Sequence, residues 1–168
     1  MFTTRVTAVA LASVLGLLGT APALAADEGG TFSVIRSYVR SHATLEHAEG
    51  TISAGTLEGT VTTHASSGEP FTQGEHSLIR CVFYAKSTAE GVSLEAPCTT
   101  TDASGDRWYT LSHRSAGDIA AGGGGEGRWQ LMGGTGKYAG VTGTCTYDTS
   151  YLTQDRVVTV GTCAWERR

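Results

Sequence analysis

Hydrophobic and polar residues alternate along most of the chain, and turn-forming residues separate the alternating stretches. No amphipathic segment with a 3.6-residue repeat reaches a convincing length. Alternation with a period of two is typical of half-buried strands, so the pattern predicts an all-β fold with eight strands. The predicted strands are Thr31 to Ser41, Thr56 to His64, Glu75 to Ala85, Val92 to Thr101, Asp106 to His113, Gly127 to Met132, Val141 to Thr149 and Arg156 to Glu166.

Most of the predicted connections between these strands are short. Short connections between successive strands favour an up-and-down meander, and eight such strands close naturally into a barrel. Closure also removes the exposed strand edges that invite aggregation. We therefore expect a single antiparallel eight-stranded β-barrel, with a two-sheet sandwich as the alternative architecture.

Two segments are rich in glycine. The sequence GGTGKYAGVTG, residues 133–143, lies between two predicted strands, and it suits a tight corner better than an anion-binding loop. Its glycines are Gly133, Gly134, Gly136, Gly140 and Gly143. The other segment, Ala116 to Gly125, has too few side chains to pack, and we expect a mobile surface loop without an assigned role.

The first residues have the features of a secretory leader. Arg5 precedes an apolar run from Val6 to Leu18, and Ala23 to Ala25 supplies the small-x-small pattern of a signal-peptidase site. The run falls short of the roughly 20 residues that a membrane anchor needs. We expect a signal peptide at 1–25 and one domain at 26–168, secreted to the exterior or periplasm, with no membrane association after the leader is removed.

Four cysteines lie in the predicted exported part, where an even number indicates disulfides. Their spacings do not suit a zinc site. Cys81 and Cys98, like Cys145 and Cys163, flank a segment that joins two predicted antiparallel strands, where cross-strand neighbours come close enough to bond. We expect the sequential pairing, with one bridge stapling each hairpin.

The charge pattern and the motifs exclude several classes of function. The formal net charge is −4 and the basic residues are scattered, which argues against binding to nucleic acid or to an anionic membrane. The sequence contains no hydrolase, zinc-protease or nucleotide-binding motif, and we expect no cofactor. Two groups, His42 with Glu46 and His47, and Asp102 with Asp106, have no specific metal-ligand spacing, so we expect no metal site.

Two segments carry a family resemblance. The sequence GRWQLMGGTGKYAGVTGTCTY, residues 127–147, and the sequence CTTTDASGDRWYTL, residues 98–111, resemble small bacterial exported proteins of the allene oxide cyclase-like and dirigent-like β-barrel family. The resemblance implies a calycin-like barrel and a homodimer or homotrimer. In allene oxide cyclases the interior holds a fatty-acid epoxide, in related bacterial cyclases it steers a pericyclic ring closure, and dirigent proteins orient radical coupling without redox chemistry of their own.

The candidate ligand-binding residues are Arg36, Tyr38 and Arg40, which share one face of the first predicted strand, together with Tyr109 on the fifth. If the arginine face points inward, an arginine would meet a ligand carboxylate and a tyrosine would donate a hydrogen bond. In the alternative, Ile35 and Val39 fill the core and the arginines face solvent. The cost of burying a lone arginine favours this alternative.

Three functions fit the sequence. The first, which we favour, is a secreted protein that binds a small apolar molecule in its barrel. The second is a cofactor-free cyclase or isomerase resembling allene oxide cyclase. The third is an extracellular protein-interaction module with a filled barrel.

Overall fold

The computed structural model describes residues 28–115 and 124–168. The predicted leader, and the predicted mobile loop except for its last two residues, lie outside this described part. Within it, each strand pairs antiparallel with the next, and the last pairs with the first, which closes the barrel and confirms the predicted fold class. The strands are β1 Glu28–His47, β2 Gly50–Ser66, β3 His76–Thr88, β4 Gly91–Thr101, β5 Arg107–Arg114, β6 Gly125–Gly134, β7 Val141–Tyr151 and β8 Arg156–Arg167.

The first two strands are much longer than predicted. Pairing of β1 with β8 runs only as far as Val39 opposite Arg156, whereas its pairing with β2 continues to His47 opposite Gly50. The two strands therefore form a hairpin that extends past the end of β8. In the outer hairpin, the β1 residues 41–47 are exposed on both faces and the β2 residues 50–57 are mostly half-buried, so neither half shows the alternation that predicts a strand.

Five aromatic side chains fill one end of the barrel. We call this the closed end. Phe71 comes from the β2–β3 connection, and its ring centroid lies 3.6 Å from that of Phe32 and 5.4 to 6.0 Å from those of the other three. The other rings belong to Trp108, Tyr138 and Trp165, and all five residues are at most 6 % exposed. The described part of the chain contains no helix that is long and apolar enough to cross a membrane.

Both predicted disulfides are present. Cys81 bonds to Cys98 across β3 and β4, and Cys145 bonds to Cys163 across β7 and β8. Each pair lies directly opposite on its two strands, with the side chains buried inside the barrel. Closing a loop of this length stabilises a fold by about 3 kcal/mol in the chain-entropy account. Two such bridges are consistent with an extracellular protein.

The glycine-rich corner connects β6 to β7 at the closed end through a short 3-10 turn, Gly136–Tyr138. Gly133, Gly136 and Gly140 have positive φ angles, of 85°, 50° and 74°. Gly134 differs, because a Cβ atom there would clash with the carbonyl oxygen of Arg107. The corner thus uses glycine both for unusual backbone angles and for close approach of neighbouring strands.

We expect Gly134→Ala to lower the free energy of unfolding by about 3 kcal/mol, because the new methyl group meets backbone that cannot turn aside. Gly105→Ala is the matched control, since Gly105 has a φ of 90° but open space around its Cβ position. Conformational strain alone should lower the free energy of unfolding of Gly105→Ala by about 1 kcal/mol. Urea unfolding measures the free energy of unfolding of both variants. An equal decrease in the two variants would contradict the explanation that neighbouring backbone approaches Gly134 closely.

Candidate functional site

The half of the barrel opposite the closed end is hollow. It contains a cavity of about 510 Å³ that reaches the end where β3 turns into β4 and β7 into β8. We call this the open end. Five aromatic residues contribute to the lining, together with small and hydroxyl-bearing side chains. The aromatic residues are Tyr38, Phe83, Trp129, Tyr147 and Tyr151.

The cavity exists because two large rings lie against the wall. Trp129 and Tyr147 stack on each other with ring centroids 4.6 Å apart and planes 16° apart. A Cβ atom at Gly161 would clash with the Trp129 ring, and one at Gly127 would clash with the Tyr147 ring. The Tyr147 ring therefore covers a glycine of the neighbouring strand β6, and the Trp129 ring covers a glycine of β8, two strands away. The absence of a side chain at each glycine leaves the centre of the barrel free.

Three of the four candidate ligand residues lie on the inner face. Arg36 is fully buried, Tyr38 is 4 % exposed, and Arg40 lines the cavity together with Tyr38. The expectation that the arginines face solvent is wrong, because Ile35 and Val39 are 40 % and 45 % exposed on the outside. The Arg36 guanidinium is accommodated by the indole of Trp129, with its Cζ atom 3.5 Å from the ring centroid.

The fourth candidate, Tyr109, does not belong to the cavity. It lies between the buried residues Trp108 and Thr110 on β5, is only half-buried, and does not line the cavity. Alternation along β5 places its side chain on the outer face. The structure thus brings Tyr38 and Arg40 together at the cavity, with Arg36 beside them, and separates Tyr109 from them.

Sequence reasoning missed Arg114, Trp129 and Tyr147 as cavity residues. A usable signal was available for one of them. Once a disulfide is assumed to lie inside the barrel, the residue two positions away on the same strand must also face inward. Cys145 identifies Tyr147 in this way.

The inward arginines have no carboxylate partner among the described residues. Arg40 donates from Nη2 to the carbonyl of Gln154 at 2.6 Å, while its buried Nε has no partner. Arg114 donates to the carbonyls of Glu126 and Gly125 at 3.1 and 2.6 Å. Cations therefore face the cavity, and the described residues of its lining include no aspartate or glutamate.

Tyr147 supplies a hydroxyl donor to the same cavity. Burial raises the pKa of Tyr147 to about 12, even though the nearby Arg114 cation acts in the opposite direction. The phenol therefore keeps its proton at neutral pH and can donate a hydrogen bond to a ligand in the cavity.

A second polar cluster lies at the closed end. Asp102 is fully buried and forms an ion pair with Lys137 at 3.0 Å, and Lys137 also donates to Glu75 at 2.7 Å. The Asp102 carboxylate accepts hydrogen bonds from the backbone amides of Ser104 and Asp106 in its own turn. This cluster is internally satisfied, and we assign it to the fold.

The comparisons with known proteins support the fold. No protein-family model matches the sequence, and no curated protein matches it either. Among solved structures, the chain is similar to the pterocarpan synthase dirigent protein GePTS1, with a TM-score of 0.54 and 11 % sequence identity. The similarity covers 89 % of this chain and 96 % of that protein. The chain therefore forms a dirigent-like barrel.

The buried Asp102 carboxyl should make the stability of the fold depend on pH. Burial opposes its ionisation, but hydrogen bonds from Ser104 and the Lys137 ammonium outweigh burial and lower the pKa of Asp102 from 3.8 to about 2. The ionised Asp102 carboxylate therefore stabilises the folded protein by about 2 kcal/mol above pH 4, and this contribution is lost as the pH falls towards 2. Asp102→Asn should therefore be less stable than the unmodified protein at pH 7, by a margin that shrinks below pH 4.

Urea unfolding at pH values from 2 to 7 measures this margin. Asp148→Asn, which changes an exposed carboxyl on the outer face of β7, is the control and should leave the pH dependence unchanged. A constant margin between the unmodified protein and Asp102→Asn across the whole pH range would contradict the assignment.

Proposed function

We propose that the protein binds one small, mainly apolar, ring-bearing molecule in the cavity at the open end of the barrel. The observation that carries this proposal is the cavity itself. Its volume of about 510 Å³ is within the range of roughly 300 to 1,000 Å³ that is typical of small-molecule sites. Its mixture of aromatic walls and a few polar groups is also typical of such sites.

The aromatic lining favours a ligand with rings. Tyr38, Trp129 and Tyr147 present ring surfaces to the cavity, and aromatic rings pack favourably in offset or edge-to-face arrangements. Hydroxyl groups such as those of Ser112 and Thr159 provide a few points at which a polar substituent is oriented. An apolar body with one or two polar substituents is the chemistry that this wall matches.

We propose that the protein acts outside the cytoplasm, where its two disulfides persist. The leader-like sequence that precedes the barrel supports export. A secreted barrel with an occupied cavity would carry, store or sequester its ligand.

A cofactor-free cyclase or isomerase is the second candidate. Cations and hydroxyl donors lie at the wall of an otherwise apolar cavity, an arrangement able to stabilise negative charge that develops during a rearrangement. The filled-barrel alternative receives less support, because the described residues fill the barrel only at its closed end. Conversion of a bound compound distinguishes the enzyme from the carrier.

The neutral fluorescent probe N-phenyl-1-naphthylamine tests the proposed site. We expect it to bind with a stoichiometry of one and to become brighter in the apolar cavity. Ser112→Phe should weaken binding at least tenfold, because Ser112 is buried and lines the cavity, so the new ring occupies the ligand volume. Fluorescence titration measures both affinities.

His113→Phe is the matched control. It adds the same ring at the next position of β5, where the side chain is exposed on the outer face. The probe should bind this variant as it binds the unmodified protein. Equal weakening by the two substitutions, or no saturable binding to the unmodified protein, would overturn the cavity as the binding site.

A further inference from the structure

We propose that the ligand of this cavity carries an anionic oxygen group, which the positive charges of Arg36 and Arg40 recognise. This inference rests on the proposed function and specifies the ligand class: a ring-bearing molecule with a carboxylate, or with a sulfate or phosphate group of the same oxyanion chemistry.

Arg36 is fully buried just beneath the cavity, next to lining residues but without lining the cavity itself. On the inner face of β1 its neighbours are Val34, which is fully buried towards the closed end, and Tyr38, which lines the cavity. Its guanidinium packs on Trp129, another lining residue, and lies 5.2 Å from the ring centroid of Trp108 in the closed end. The charge therefore lies between the packed half and the hollow half of the barrel.

Nothing in the described part of the chain neutralises this charge. None of the three guanidinium nitrogens of Arg36 has a hydrogen-bond partner there, although all three are buried. The ion pairs of the described residues involve other basic groups, at Arg80, Lys86, Lys137, Arg167 and Arg168. The cavity is thus a positive region within a chain of net charge −4.

A buried and unpaired guanidinium is expensive for a fold. Taking an ion out of water is unfavourable unless an opposite charge or a full set of hydrogen bonds replaces the water. Stacking on Trp129 offsets part of this cost, because the ring face attracts cations. An apolar residue at position 36 would avoid the cost entirely, which points to a binding role for the charge.

The two arginines contribute to anion binding in different ways. Arg36 is enclosed beside Trp129, and its charge acts on the cavity floor through a wall of low dielectric constant, where electrostatic attraction is strong. Arg40 lines the cavity directly, and its Nε is an unpartnered donor. Arginine donors to a carboxylate or phosphate oxygen form short, charge-assisted hydrogen bonds. An oxyanion would therefore gain from both residues, whereas a neutral molecule would not.

An isosteric pair of compounds tests the charge alone. The probes are 2-naphthylacetate and its neutral amide, 2-naphthylacetamide, which share the same rings and nearly the same shape. We expect both to displace N-phenyl-1-naphthylamine from the unmodified protein, with the acid binding at least tenfold more tightly at neutral pH and low salt. A sulfate ester of 2-naphthol in the same assay tells whether carboxylate or tetrahedral oxyanion is preferred.

Substitutions then identify which positive charge is responsible for the preference for the acid. Arg36→Met should reduce the preference for the acid over the amide to less than threefold, and Arg40→Met should also reduce this preference. Arg36→Lys keeps the charge and should retain part of the preference. Arg80→Met is the matched control, because it removes one positive charge from the exposed outer face and should leave the preference intact.

The outcomes separate this inference from the proposed function. Failure of the amide and of the neutral probe to bind would overturn the proposed function. Binding of acid and amide with equal affinity to the unmodified protein would overturn the anionic ligand and leave the apolar binding site standing. An equal loss of preference in Arg36→Met and Arg80→Met would also overturn it, since only the net charge of the protein would then matter.

Discussion

The interior of an eight-stranded barrel is only just wide enough for side chains, so the position of its large residues decides whether the barrel is filled or hollow. In this protein five aromatic residues meet at one end and pack against one another, with Phe71 entering from a loop. Towards the other end, the rings of Trp129 and Tyr147 occupy the space that side chains at Gly161 and Gly127 would need. The cavity follows from this uneven distribution of rings and glycines.

Much of the architecture could be predicted from local patterns. Alternation identified all eight strands, and the positions of the cysteines identified both disulfides, because each pair flanks a single hairpin. These features depend on neighbours that are close along the chain. The outer part of the β1–β2 hairpin was missed because its residues do not alternate between buried and exposed positions, so they leave no hydrophobic pattern.

The candidate site was harder to predict, because alternation divides a strand into two faces without telling which one is inside. The cost of a lone buried arginine pointed to Ile35 and Val39 as the inner residues. The first strand alone does not show that the indole of Trp129, from β6, covers the guanidinium of Arg36 and offsets part of this cost. A contact between strands this far apart in sequence cannot be read from either strand alone.

The two polar clusters of the barrel differ in a way that bears on function. At the closed end, Asp102 and Glu75 surround Lys137, so each charge has an opposite partner and the cluster stabilises the fold. Around the cavity, Arg40 and Arg114 donate to backbone carbonyl oxygens, Arg36 packs on an aromatic ring, and none of the three forms an ion pair with a described residue. Balanced charge belongs to the scaffold, and we propose that the unpaired charge marks the surface that meets a ligand.

The central claim is that the barrel holds one small molecule. Native mass spectrometry of the mature protein, purified from the culture medium of the organism that produces it, tests this claim most directly. We expect each barrel to carry one small molecule that is released by organic extraction and detected as an acidic, ring-bearing compound in negative-ion mode. Detection of the polypeptide mass alone under gentle conditions, together with an extract that contains no stoichiometric compound, would contradict an occupied barrel.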